Sequence, residues 1–184
     1  MDQFERHMKR FIFGANNIVS ESMPDDLLVA IASGRPVALH DIKKVNADIN
    51  AFGTAVTRTV LMAAAYAGNS RLILELDEIG AAINLANSDG FTALHEAAGQ
   101  GNAHAVEVLL GLGANIDAES THGFTPLMIA SAWGCCDVIK LLIASGADIH
   151  HHDHAGMTAL DLADEKGEDA ACAILAEATR ETLN

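Results

Sequence analysis

Apolar positions along the chain recur at a fixed spacing, with a period of about 33 residues. Leu61, Leu94 and Leu127 are equally spaced along the sequence and mark this period. Threonines and alanines keep the same spacing, as Thr92 and Ala97 show when compared with the neighbouring units. Chance does not keep so many positions in step, so the pattern predicts an array of repeated structural units rather than one irregular domain.

Each unit carries the pattern of two short amphipathic helices separated by a glycine. The apolar face of the first helix is marked by Leu94, Ala97 and Ala98, and that of the second by Val106, Leu109 and Leu110. Thr92 is placed to cap the first helix, and Gly101 and Gly113 are placed to end the first and second helices. Because a unit of this size cannot bury its own apolar face, it must stack on a neighbour.

Short motifs within the units resemble those of ankyrin repeats. They are TALH at Thr92–His95, TPLM at Thr125–Met128 and TALD at Thr158–Asp161, and the endings IGAAIN, LGANID and SGADIH close three successive units. The period is also that of the ankyrin family. The resemblance covers residues 24–178 in about five units. It implies an all-α solenoid of stacked helix-turn-helix repeats, each with a projecting β-hairpin finger.

The two ends of the chain lie outside the predicted repeats. In residues 1–23, an apolar stripe at Phe4, Met8, Phe11 and Ile12 predicts a helix that caps the first repeat, with a helix that docks on a membrane surface or on a partner as the alternative. Residues 179–184 are expected to form a C-terminal tail. The first finger departs from the pattern, because Thr57 stands where the other units have a turn glycine.

Charge and cysteine content narrow the class of partner and the compartment. The net charge of −14 disfavours nucleic acid and anionic membranes, and it favours a protein with a basic surface. The alternative is that the acidity only keeps a repeat protein soluble. No segment is apolar enough to span a membrane. Three cysteines, two of them adjacent, indicate no disulfide framework and favour the cytoplasm.

The resemblance implies that a protein partner binds to the finger tips and to the concave face of the inner helices. Carried over position by position, the candidate residues are Arg58, Tyr66, Asp89, Phe91, Gln100, His122, Phe124, Trp133, His154 and Met157. Tyr66 and Trp133 are the only tyrosine and the only tryptophan, and these residue types are enriched in binding hot spots. Two alternatives stay open: Trp133 could pack between units, and the two phenylalanines could form a structural ladder.

A histidine-rich segment, HHHDH at 150–154, is the other local feature of interest. In an extended strand His150, His152 and His154 would share one face, with His122 on the neighbouring finger, and imidazoles suit Zn, Ni or Cu. A solvated loop is the commoner outcome for such a segment. No cofactor and no metal are expected.

Catalysis finds little support in the sequence. The glycine-rich GLGAN segment at 111–115 is a helix-ending turn rather than a phosphate-binding motif, and a solenoid offers no enclosed pocket. The leading hypothesis is a non-catalytic adaptor or regulator, with a monomer favoured. The alternatives are an acidic inhibitor or antitoxin-like protein that blocks a basic enzyme, and a translocated effector that mimics host ankyrin repeats.

Overall fold

The computed structural model of the protein describes residues 24–44, 48–53 and 57–182. Ten helices and no β-strand occur within these ranges. The helices are α1 (Asp25–Ala32), α2 (Leu39–Lys44), α3 (Val60–Tyr66), α4 (Ser70–Asp77), α5 (Ala93–Gly99), α6 (Ala103–Gly111), α7 (Pro126–Ala132), α8 (Cys136–Ala144), α9 (Ala159–Lys166) and α10 (Asp169–Thr182).

The helices alternate between an inner row and an outer row. The inner row consists of α1, α3, α5, α7 and α9, and each of these helices packs on the next one in its row. The outer helices α2, α4, α6, α8 and α10 follow the same order. The predicted all-α solenoid of stacked helix pairs is therefore confirmed.

One continuous apolar core runs between the two rows. The leucines that recur with the period of the repeat are buried in both of them: Leu61, Leu94 and Leu127 in the inner row, and Leu76, Leu109 and Leu142 in the outer row. Small alanines such as Ala64, Ala97 and Ala130 are also fully buried, which lets neighbouring inner helices approach closely. The repeat register predicted from the sequence places the core correctly.

Threonines begin most of the inner helices, as predicted. The hydroxyls of Thr59, Thr125 and Thr158 accept a hydrogen bond from the backbone N–H three residues later, at 3.2, 3.4 and 3.3 Å. The backbone N–H of Thr92 donates to Nδ1 of His95 at 3.1 Å, as that of Thr158 donates to Oδ2 of Asp161 at 2.8 Å. These contacts between the capping threonine and the third residue of the helix form a capping box.

The fingers are tight turns rather than the β-hairpins that the resemblance implies. One polar side chain closes each of the last three turns by accepting two backbone N–H groups: Asn87 accepts from Asp89 and Phe91, Ser120 from His122 and Phe124, and Asp153 from Ala155 and Met157. Successive turns are joined by backbone hydrogen bonds from Thr121 to Asp89 at 2.9 Å and from His154 to His122 at 3.0 Å. The finger tips thus form a connected row.

The row of finger tips requires glycine at the turns, because the backbone of the next finger lies where a side chain would be. Gly90 has φ +80°, and a Cβ added there would lie 2.6 Å from the backbone nitrogen of Thr121. In the first finger the corresponding residue is Thr57, with φ 43°. The sequence-based concern about this turn is therefore justified, because a β-branched side chain occupies a left-handed conformation.

The predictions for the chain ends have different outcomes. The capping helix falls on residues 1–23, which lie outside the described residues. At the other end α10 continues to Thr182, beyond the predicted repeat boundary at residue 178.

Candidate partner-binding surface

Trp133 is exposed at the C-terminal end of an inner helix, directly after α7. Within the described residues only three large hydrophobic side chains are classed as exposed: Val29, Leu74 and Trp133, the last with 43% of its surface accessible. The ring lies beside Gly99 of the preceding unit, since a Cβ added at Gly99 would be 3.9 Å from Cδ1 of Trp133. Trp133 therefore lies beside the preceding unit and keeps 43% of its surface accessible.

Tyr66 ends α3 and is partly exposed. The guanidinium of Arg58 lies over its ring, with Cζ 4.5 Å from the ring centroid. Its backbone carbonyl accepts a hydrogen bond from Nδ2 of Asn102, in the next unit, at 2.9 Å. Both the backbone and the ring of Tyr66 are thus held by neighbouring residues.

Arg58, predicted to contact a partner, is buried inside the stack, with only 7% of its surface exposed. Its Nε and one terminal nitrogen donate to the two carboxylate oxygens of Glu96 at 2.5 and 3.1 Å. Sequence reasoning overlooked Glu96, although there was a signal: the matching positions of other units hold Ala63, Ile129 and Leu162. An acid in an otherwise apolar column requires a buried partner.

Burial and ion pairing act in opposite directions on Glu96. Loss of hydration is the larger effect and raises the pKa of Glu96 to about 7, while the nearby positive charge of Arg58 pulls it down. Burying this ion pair is therefore costly, and removing either residue would leave the other as an uncompensated polar group in the core.

Phe91 and Phe124 are corrected from partner-contacting residues to packing residues, because only 1% and 7% of their surfaces are exposed. Phe91 meets His95 edge-on, with ring centroids 5.2 Å apart. Nε2 of His95 lies 3.0 Å from the carbonyl oxygen of Phe124, to which it can donate. Burial lowers the pKa of His95 to about 4, so its ring is neutral at physiological pH. The sequence allowed the two phenylalanines either to contact a partner or to have a structural role, and the structure gives them the structural role.

The other predicted contact residues lie at or near the surface. Gln100 and His154 are exposed, and Asp89, His122 and Met157 are partly exposed. All but Gln100 belong to the row of finger tips, whereas Gln100 follows α5 directly. The structure therefore leaves accessible seven of the ten predicted contact residues, the exceptions being Arg58, Phe91 and Phe124.

The histidines of the fingers do not converge on a common point. Nε2 of His150 lies 3.2 Å from the hydroxyl of Thr182, whereas Nδ1 of His122 lies 3.1 Å from the hydroxyl of Thr121. Nε2 of His151, the residue after His150, lies 3.0 Å from the carbonyl oxygen of Gly123. In the part of the chain that the structure describes, no three His, Cys, Asp or Glu side chains are grouped as metal ligands.

Comparison with protein families identifies the repeat. The family model of ankyrin repeats (3 copies) matches residues 27–120 and 61–153, which together span more than half of the chain. The chain belongs to the ankyrin repeat family. A comparison with curated proteins gave no match.

Membership of this family gives the exposed surface a general meaning. Ankyrin repeats are generally protein–protein interaction modules and are typically not catalytic. Among the described helices of this ankyrin repeat protein, none has the length and apolar character needed to cross a bilayer. The surface at the ends of the inner helices and at the finger tips is therefore the place to look for its function.

Proposed function

We propose that this ankyrin repeat protein is a non-catalytic adaptor or regulator that binds a protein partner. The contact surface comprises the C-terminal ends of the inner helices and the finger tips. The observation that carries this proposal is the exposed ring of Trp133 at an inner-helix end, since tryptophan is costly to leave in water and is enriched in binding hot spots.

Charge supports a partner with a basic surface. The chain carries a net charge of −14, and the candidate surface includes Asp89 on a finger and Glu165 near the end of α9. Opposite charge on a partner would raise the association rate and exclude acidic competitors. We further propose that the protein acts in a reducing compartment such as the cytoplasm, which is supported by three cysteines that all remain unpaired.

Capture of partners with a matched pair of variants tests this proposal. Trp133→Ala removes the exposed aromatic ring at the inner-helix end, and Leu74→Ala removes a side chain of similar exposure, 46%, from the outer helix α4. We expect a protein that binds the wild-type chain and Leu74→Ala to lose affinity for Trp133→Ala by about thirtyfold, as for a hot-spot residue. Equal loss in both variants, or in neither, would contradict the proposed surface.

A second function is favoured by the same charge. An acidic inhibitor of a basic enzyme would rely on electrostatic steering, so its association rate would fall steeply as salt is added. An adaptor that relies on apolar contacts at Trp133 would show a shallow salt dependence. Stopped-flow association of the captured protein at low and high salt separates these two functions.

A further inference from the structure

Two residues depart together from the pattern of the repeat. Arg58 occupies the finger position that holds Phe91 and Phe124 in the next two units. Glu96 occupies the inner-helix position that holds an alanine or a branched aliphatic residue in the second, fourth and fifth units. The two departures fall on opposite sides of one junction, between the second and third units, and they contact each other.

The pair forms a closed polar contact inside the apolar core. Two hydrogen bonds join the guanidinium of Arg58 to the carboxylate of Glu96, whose side chain is fully buried. The guanidinium also covers the ring of Tyr66 at 4.5 Å. One buried carboxylate therefore fixes one cation, and that cation is in contact with an aromatic residue of the candidate surface.

Stability alone does not account for this arrangement. A buried ion pair is commonly no more stabilising than apolar side chains of similar volume. This protein itself shows the apolar solution, because Phe91 and Ile129 occupy the matching positions one unit later and are both buried. What the ion pair adds is a planar cation at the ring of Tyr66, a contact that a phenylalanine would not supply in the same form.

We propose that Arg58 and Glu96 are positioning residues that hold the Tyr66 ring in the partner-binding surface. The inference rests on the proposed function. Asn102 already fixes the carbonyl of Tyr66, and the Arg58 guanidinium fixes the ring, so the side chain is ordered before a partner arrives. An ordered ring spares the complex the entropy that ordering it would cost on binding.

The test exploits the single tyrosine of the chain. Protein labelled with 3-fluorotyrosine gives one ¹⁹F resonance, which reports on Tyr66 alone, and its shift between H₂O and D₂O reports ring exposure. The key variant is Arg58→Phe with Glu96→Ile, which gives this junction the residues found one unit later. The experiment compares its melting temperature, its ¹⁹F spectrum and its affinity for the purified protein captured by the wild-type chain.

We expect the double variant to keep its helicity and melting temperature, because apolar residues replace the ion pair. Its ¹⁹F resonance should move toward that of free 3-fluorotyrosine with a larger solvent isotope shift. Affinity for the captured protein should fall about threefold to tenfold. A folded double variant with an unchanged resonance and unchanged affinity would overturn the proposal, because the pair would then be purely structural.

Glu96→Gln keeps the proposal testable if the double variant does not fold. It leaves Arg58 with a neutral acceptor, so the resonance should move in the same direction by a smaller amount. An unmoved resonance would overturn the role of the pair. Tyr66→Ala separates the two hypotheses: unchanged affinity for the captured protein would overturn the proposed role of Tyr66 itself, whereas the ¹⁹F measurement needs no partner.

Discussion

Thr57 has the backbone conformation least suited to its residue type. It is the only residue other than glycine with positive φ in the described ranges, at 43°, and it occupies the position of the turn glycines. A β-branched side chain in the left-handed region is strained, and glycine relieves that strain at the expense of a more flexible unfolded chain.

We expect Thr57→Gly to raise the free energy of unfolding by about 0.5–1 kcal/mol. Urea denaturation measures this change. The control is Ser88→Gly, on the next finger, where φ is not positive and glycine should destabilise the fold. Destabilisation by both substitutions would show that Thr57 is not strained.

His95 and Glu96 are neighbours whose protonation affects stability in opposite directions. Burial lowers the pKa of His95 from 6.5 to about 4. The neutral ring therefore contributes fully to folding stability above pH 6.5, and this stability is lost as the pH falls toward 4. The pKa of Glu96 is raised from 4.5 to about 7. The stability that its protonated form contributes is therefore fully present below pH 4.5 and is lost as the pH rises through 7. Over the same pH range, the two effects offset each other.

Glu96→Gln should expose the contribution of His95. Between about pH 7.5 and about pH 5, the variant should lose more stability than the wild-type protein, by about 1–3 kcal/mol, because the opposing gain from Glu96 is gone. Denaturation curves at the two pH values measure the difference, with Glu78→Gln as an exposed control on the same chain. Parallel losses in wild type and variant would mean that Glu96 is ionised throughout this range.

Junctions between successive repeats use one recurring side-chain contact. The amide of Asn84 accepts from the backbone N–H of Asn115 at 2.7 Å and donates to the carbonyl of Gly113 at 3.0 Å. One unit later Asp117 accepts from the backbone N–H of Asp148 at 3.0 Å, but an aspartate side chain has no N–H to donate to the carbonyl of Gly146, the residue that matches Gly113.

Asp117→Asn should therefore complete the contact and raise the free energy of unfolding by about 0.5–1.5 kcal/mol. It also removes one negative charge from a chain with a net charge of −14. Thermal and urea denaturation measure the gain. Glu119→Gln is the control, because it removes the same charge from an exposed position nearby without completing the contact. An equal gain from both substitutions would assign the effect to charge alone.

The stacked architecture was predictable because one period governs the entire array. Leu94 and Leu109 are buried where the spacing of the repeat places them, since every unit packs on a copy of itself. The Arg58–Glu96 contact was missed because it breaks that rule at two positions 38 residues apart, and the period of the repeat does not pair them. The form of the fingers was also missed: their turns are closed by side chains of three different types, and the resemblance implied only a hairpin.

The period of the repeat also predicted some of the exposed candidate residues. Position in the repeat correctly brought Trp133 and Gln100 to the ends of inner helices. It could not distinguish an accessible finger residue from a buried one, because Phe91 and Asp89 lie on one turn and differ in burial. Phe91 packs edge-on against His95 in α5, a contact that the period of the repeat does not show.

Hydrogen exchange of the intact chain with and without its captured partner tests the central claim most directly. If the inner-helix ends and the finger tips form the binding surface, amide protection should increase around Tyr66, Gln100 and Trp133 and along the finger row at 88–91, 121–124 and 154–157. The outer helices α4, α6 and α8 should remain unchanged on their exposed sides. Protection confined to those outer helices, with none at the inner-helix ends or fingers, would contradict the account.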